Sequence, residues 1–506
     1  MDEPVTITEI AALLALSQDH AFAQPAGSQL RAVVLGQHLA GAIGADAGER
    51  ATTWFTSALR FLGCTGHAFD MAVVFGDEIE MRAESLQLDF ANPFDMMRLM
   101  VTHAGAGSAG VRRMRTVLAV LAGGKKAAEM NFRAACEVAD AFAKRLGLDE
   151  SVRDSLAGSF ERWNGRGLPS GARGTAISRP MRMAQIAQEL EVLARIEGLE
   201  PARKIIRRRK GKAYDPELTD VVLAGAAEWW EAVEPVDPWD AALAVAPPAR
   251  PLTDRARLEA LLVLADFSDL KSPWLGGHSR AVAALALDAC GPDAEAAALV
   301  HDLGRVAVPN TVWDKPAVLT RDERDRAELH AFATNQLLRR VPFTRALADV
   351  ACSAHERADG SGYHRRIGGA HLDAAQRVVA AADCYQAMIS DRPHRRALTR
   401  DGAAAELRAM SAAGRLDGEA VERVLLAAGH RRKARPALPA GLTAREAEVL
   451  RLLSLGLTTR EIADELVISP KTADHHIQHV YSKIGVSTRG AAALFAIEQG
   501  ILTADR

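Results

Sequence analysis

The sequence predicts an all-α protein: two related helical bodies in tandem, then a small four-helix unit. Three observations carry this reading. Aromatic residues make up only 5% of the chain and alanine is abundant, which favours helix over sheet. The run Glu161-Arg162-Trp163-Asn164-Gly165-Arg166-Gly167-Leu168-Pro169 is matched in kind and order by Glu356-Arg357-Ala358-Asp359-Gly360-Ser361-Gly362-Tyr363-His364. Residues 441–506 carry dense helix punctuation.

At 506 residues the chain exceeds one core. A hydrophobic content of 48% with 25% charge describes a globular protein in water. The net charge of -2 gives no global pull toward nucleic acid or membrane, so any DNA contact must come from a local surface. The 5 cysteines are scattered without a CxxC pair, which argues against a disulfide framework and a cysteine zinc site. No apolar run approaches the roughly 20 residues of a membrane span, and the start is acidic at Asp2 and Glu3. The expected location is the cytoplasm, with no membrane partner.

The first body is expected over 1–232. In each copy a glycine-bearing turn precedes a helix, Arg182 to Gln188 and Arg377 to Asp383. Leu59-Arg60-Phe61-Leu62-Gly63 occupies the place of Val300-His301-Asp302-Leu303-Gly304. In this register Gln29 replaces His278, Arg60 and Phe61 replace His301 and Asp302, and Ala135 replaces His330. Phe160 then replaces His355 and Gln188 replaces Asp383. The first copy therefore lacks the donors for a divalent metal; its groups suit an anionic or planar ligand, or serve only to pack against its twin. A linker is expected at 233–253, with two proline-bearing stretches flanking a short helical one. The basic run from Arg203 to Lys212 reads as a solvated helix end or loop.

The second body is expected over 254–430. His301-Asp302 is an adjacent pair able to share one divalent metal, with the carboxylate free to bridge to another. His278, His330, His355 and Asp383 complete a set of candidate ligands. A basic linker follows at 431–440.

In the tail, Thr443 with Glu446 and Thr458 with Glu461 form capping boxes, and Ser469-Pro470 starts a third helix. Ser487 is expected to cap a fourth. Ala473, Ile477, Val480 and Ile484 form an apolar stripe on the third helix, opposite Lys471, Thr472, His475, Gln478 and His479. A tight turn at Leu466-Val467-Ile468-Ser469 completes a helix-turn-helix. Leu442 to Leu450, Thr459-Arg460-Glu461-Ile462-Ala463 and Ser469-Pro470-Lys471-Thr472 closely resemble the LuxR-type DNA-binding domain. That resemblance implies a homodimer on double-stranded DNA. It assigns DNA contact to Lys471 and Thr472, supported by His475, His476 and Lys483. Asp474 departs from the pattern and would repel phosphate.

The second body resembles the HD-GYP family, helical HD phosphohydrolases that hydrolyse cyclic dinucleotides, typically cyclic di-GMP. The match rests on His278-Ser279-Arg280, the His301 to Arg305 run, Lys315-Pro316, His330, Asp359 to Tyr363, Asp383 and Ser390 to Pro393. The whole layout resembles actinobacterial regulators with a duplicated HD body and a LuxR-type tail. The resemblance implies that His278, His301, Asp302 and Asp383 hold one metal, iron or manganese. Asp302 would bridge to a second ion held by His330 and His355. It implies catalytic roles for Asp302 and for Arg305 as a phosphate clamp, and a substrate loop at Gly360, Gly362 and Tyr363. Ala354 stands where the family has another histidine, Trp274 where some members have glutamate, His364 where proline is usual and Gln386 where aspartate is usual. The sequence thus supports a regulator that senses or processes a phosphate ligand, with a phosphohydrolase as the alternative.

Overall fold

The computed structural model describes residues 4–89, 92–106, 110–429 and 438–502. Among these the protein is all-helical, with isolated bridges and no strand. It divides into two compact units, Pro4–Ala256 and 257–506. The basic linker residues 431–437 lie outside the described set.

In the first unit the opening helix Ile7–Ala21 starts with a capping box between Thr6 and Glu9. It packs with Ser28–Ala42 and Ala47–Leu59. Trp54 is fully buried and donates its indole N–H to the Ala242 carbonyl at 3.0 Å. The segment read as a linker is therefore packed into this unit, and its short helical stretch is present. It forms the helix Pro238–Ala244, buries Trp239, and returns so that Leu252 N–H donates to the Val5 carbonyl. Tryptophan and alanine supply the apolar surface that holds it down. In the basic run, the helix Leu199–Arg209 leaves Arg207 and Arg208 exposed, while Arg209 is buried against Glu189.

The two units repeat the same local devices. A Cβ on Gly63 would meet the Ala135 carbonyl, and one on Gly304 would lie 2.1 Å from the His330 carbonyl. Only glycine lets these 3-10 turns, Leu62–His67 and Leu303–Ala307, press against the neighbouring helix. Glu161 accepts the Ser170 and Gly171 N–H groups, as Glu356 accepts those of Arg365 and Arg366. Asp19 accepts the N–H of Gln29, and Asp269 accepts that of Ser279, each 10 residues ahead. This register corrects one expectation: Ser28, not Gln29, stands in the place of His278. Each is the first residue of its helix, after a left-handed glycine, Gly27 or Gly277.

In the second unit, residues 257–429 wrap helices around His278–Cys290, Arg321–Leu338 and Ala374–Ile389. The tail forms helices Ala444–Ser454, Thr459–Glu465, Pro470–Ile484 and Arg489–Glu498. Its core is Val449, Leu450, Leu453, Ile462, Ala473, Ile477 and Val480. Thr488, rather than Ser487, caps the last helix, because its hydroxyl is the one that accepts the Ala491 N–H.

Candidate metal centre and nucleic-acid interface

Four helices and one 3-10 turn bring six side chains of the second unit to one buried point. His278 opens its helix, and His301 and Asp302 immediately precede the Leu303–Ala307 turn. His330 and Asp383 project from Arg321–Leu338 and Ala374–Ile389, and His355 follows Pro342–Ala351. They form two groups, His278 with His301 and Asp383, and Asp302 with His330 and His355. Within each group the donor atoms lie within 4.8 Å of one another.

Asp302 joins the groups. Its Oδ2 lies 3.0 Å from His301 Nε2 and 3.6 Å from His278 Nε2. Its Oδ1 lies 3.2 Å from His330 Nε2 and 3.3 Å from His355 Nε2. Asp383 divides likewise, with Oδ1 3.1 Å from His278 Nε2 and Oδ2 3.4 Å from His355 Nδ1.

The backbone fixes two of the imidazoles. His301 Nδ1 lies 2.7 Å from the Ala298 carbonyl and His330 Nδ1 lies 2.6 Å from the Ala327 carbonyl. A carbonyl only accepts, so each Nδ1 carries the proton and each Nε2 is turned inward, as a ligand requires.

Charge balance is tight. Burial works against a charge on His301, yet Asp302 and Asp383 outweigh it and hold the imidazole up to about 10. Burial opposes ionisation of Asp302 too, but Arg305 and His301 keep that carboxyl well below the usual range. Burial pushes His278 and His330 down to about 4, so both offer neutral nitrogens. Arg305 and a protonated His301 balance the two buried carboxylates, and a divalent cation taken up there would displace the His301 Nε2 proton. His301 Nε2 and Asp302 Oδ2 are close but lack a well-directed hydrogen bond. Imidazole nitrogens and carboxylate oxygens converging this way are a donor set that fits a divalent cation.

Arg305 sits 2.7 Å from Asp302 Oδ2, with its guanidinium 4.7 Å over the Trp313 ring. Trp313 has no place in the sequence reading, and Arg392 enters it only within the Ser390 to Pro393 match, without a site role. Arg392 donates to the Trp274 carbonyl at 3.3 Å, and burial, with Arg305 nearby, pushes it down to about 10. Two guanidiniums therefore approach the centre. On the loop, Gly360 adopts φ +78, and a Cβ on Gly362 would lie 2.5 Å from the His355 carbonyl. This close passage lays the Tyr363 ring against His355, centroids 4.9 Å apart. Ala354 is fully buried and offers no ligand atom.

On the tail, Ser469, Lys471, Thr472, Asp474, His475 and Gln478 line one open groove beside the Pro470–Ile484 helix. Lys471, Thr472 and His475 are exposed and His476 is half-buried. Lys483 is placed differently: its ammonium donates to Glu446 at 2.6 Å and to the Gly441 carbonyl at 3.1 Å.

The fold and the centre define a helical HD body carrying a helix-turn-helix tail. Residues 263–420 match the family described as HD domain, and residues 440–496 match bacterial regulatory proteins, luxR family. The chain is 28% identical over 417 residues to the 3'3'-cGAMP-specific phosphodiesterase 3 of Vibrio cholerae, spanning 79% of this chain and 90% of that protein. It is 43% identical over 77 residues to the probable transcriptional regulatory protein NarL of Mycobacterium tuberculosis, 15% of this chain and 35% of that one. A crystal structure of a cyclic GMP-AMP specific phosphodiesterase of Vibrio cholerae shares the fold. Its TM-score is 0.57 at 24% identity, over 84% of this chain and 98% of that chain. The chain joins an HD-GYP phosphodiesterase-like body to a LuxR-type DNA-binding domain. No described helix is long and apolar enough to cross a membrane.

Proposed function

We propose that this protein is a transcription regulator in which an HD body senses a phosphate ligand at a divalent metal and a LuxR-type tail binds DNA. The carrying observation is the pairing of an exposed recognition helix with a buried donor set short of one family ligand at Ala354. Loss of a ligand weakens turnover while leaving recognition in place. His278, His301, Asp302 and Asp383 would hold iron or manganese, with His330 and His355 as the second half-site. A cyclic dinucleotide is the ligand the HD-GYP relatives suggest. Operator binding would occur as a homodimer on double-stranded DNA in the cytoplasm. Lys471 and Thr472 would contact it directly, with His475 and His476 in support.

A second reading, a cyclic dinucleotide phosphodiesterase, is favoured by Arg305 and Arg392. Arg305 pairs with Asp302 and Arg392 lies within the field of Asp383 and Asp302, so forked donors near the centre would orient a phosphodiester. A bound divalent ion would supply Lewis acidity there. Asp302 and Arg305 would then be catalytic, and Gly360, Gly362 and Tyr363 would wall the substrate.

Gel-shift titration against genomic fragments tests the first reading. It requires sequence-selective, salt-sensitive binding that changes when cyclic di-GMP or 3'3'-cGAMP is added. Absence of selective binding rejects it. Release of linear dinucleotide by manganese-loaded protein would establish the second.

A further inference from the structure

We propose that the first helical unit carries a metal-free site for a phosphate-class anion, built around the Leu62–His67 turn from Arg60, Thr65, His67 and Arg82. This goes beyond the regulator reading, which places its ligand in the second unit.

The turn stands where the second unit has its metal-type centre, but the chemistry is inverted. Phe61 replaces the bridging carboxylate and Arg60 the preceding imidazole. Phe132 and Phe160 stack at 4.3 Å nearby in sequence register, with Phe160 in the place of His355. Ring carbons replace ligand atoms, so this is no site for a cation.

Four buried polar atoms around the turn have no hydrogen-bond partner among the described residues: Arg60 Nε, Thr65 Oγ1, His67 Nδ1 and Arg82 Nη1. Thr65 is 2% exposed, and His67 and Arg82 are each 4% exposed. Unpaired polar atoms at such depth are costly, and a cationic group costs most. Each can serve as a donor, and none belongs to an acid.

The guanidiniums are also held in place. Arg82 Nη2 donates to the Cys64 carbonyl at 2.7 Å, and Arg60 Nη2 donates to that of Ser159 at 3.2 Å. Arg82 lies 5.3 Å over the Phe22 ring, Arg60 lies 5.1 Å over Phe61, and the two rings are 4.6 Å apart. The spare N–H of each is thus fixed by backbone and ring contacts. Burial lowers Arg60 to about 10, opposed only by Tyr214 and Cys64, which are not carboxylates. A phosphate group brings negative charge and several acceptor oxygens, matching forked donors better than a single carboxylate. Arg60 is partly exposed, so the cluster reaches toward the surface along this side chain. The phosphate could be inorganic or part of a cyclic dinucleotide, and the test separates these sources.

The full chain, carrying Asp302→Asn and held in EDTA, is titrated calorimetrically with inorganic phosphate and separately with cyclic di-GMP at fixed ionic strength. The expected result is one saturable event, weakened about tenfold or more by Arg60→Gln, the loss of one charge-assisted hydrogen bond. Arg82→Lys, which keeps the charge but loses the fork, should weaken it as well. Circular dichroism melts establish that each variant is folded. Saturation by phosphate alone identifies the inorganic ion, and at least tenfold tighter binding of cyclic di-GMP identifies the dinucleotide. No saturable binding of either probe to folded protein overturns the proposal. So does binding that folded Arg60→Gln leaves unchanged.

Discussion

Arg305 Nε lies 2.7 Å from Asp302 Oδ2, and both groups are buried. The same carboxylate faces four imidazoles, so one residue balances a cluster of cations and neutral donors. Removing it strands Arg305 and a charged His301. Asp302→Ala should therefore destabilise the second unit by about 3–5 kcal/mol. Asp302→Asn keeps the volume and should cost less, yet should still abolish metal retention. Denaturant melts and elemental analysis of purified protein read the two effects. Full metal content in Asp302→Asn would contradict the assignment.

Ala354 offers the opposite experiment. It is fully buried beside His355, so Ala354→His must force a ring into a closed site. Overpacking should lower stability by about 1–3 kcal/mol. If the donor set is short by this one ligand, bound metal per chain should rise in the variant. Elemental analysis after manganese loading decides it, and unchanged stoichiometry counts against a depleted half-site.

Much of this was legible because it is local. Thr443 with Glu446 and Thr458 with Glu461 form the capping boxes their spacing predicted. The Ala473, Ile477 and Val480 stripe faces the tail core. What stayed hidden depends on register or distance. Ser28 against Gln29 is a one-residue choice set by where a left-handed glycine starts a helix. Trp313 reaches the centre from a segment with no periodic signal. The packed 233–253 segment read as a linker because prolines mark both turns and first helical positions; Pro238 is the latter. The LuxR-type resemblance makes Lys483 a supporting DNA contact, but Glu446 claims its ammonium.

That ion pair sets a pH dependence. Lys483 first, then the Thr443 backbone N–H, lower Glu446 to about 2. A depressed carboxyl contributes stability that is present above its unfolded value, near 4.3, and lost as pH falls toward the folded one. The tail should therefore weaken between about pH 4.5 and 2. Glu446→Gln should flatten that dependence and cost about 1 kcal/mol at neutral pH. Thermal melts of the tail followed by near-ultraviolet dichroism at Tyr481 read it. An unaltered acid limb in the variant would remove Glu446 from the account.

The same pair separates two kinds of basic residue on the recognition helix. Lys471 is exposed in the groove, so its loss should remove one phosphate contact. Lys471→Ala should lower affinity and reduce the salt slope of DNA binding by about 1. Asp474 lines the same groove and opposes phosphate, so Asp474→Asn should tighten binding and weaken its dependence on sequence least. Lys483→Ala should leave the salt slope unchanged while lowering the melting temperature of the tail, because its ammonium braces Glu446 and Gly441. Affinity measured at several salt concentrations, beside melts of each variant, distinguishes the roles. A slope change in Lys483→Ala equal to that in Lys471→Ala would mean that the ammonium leaves Glu446 for DNA.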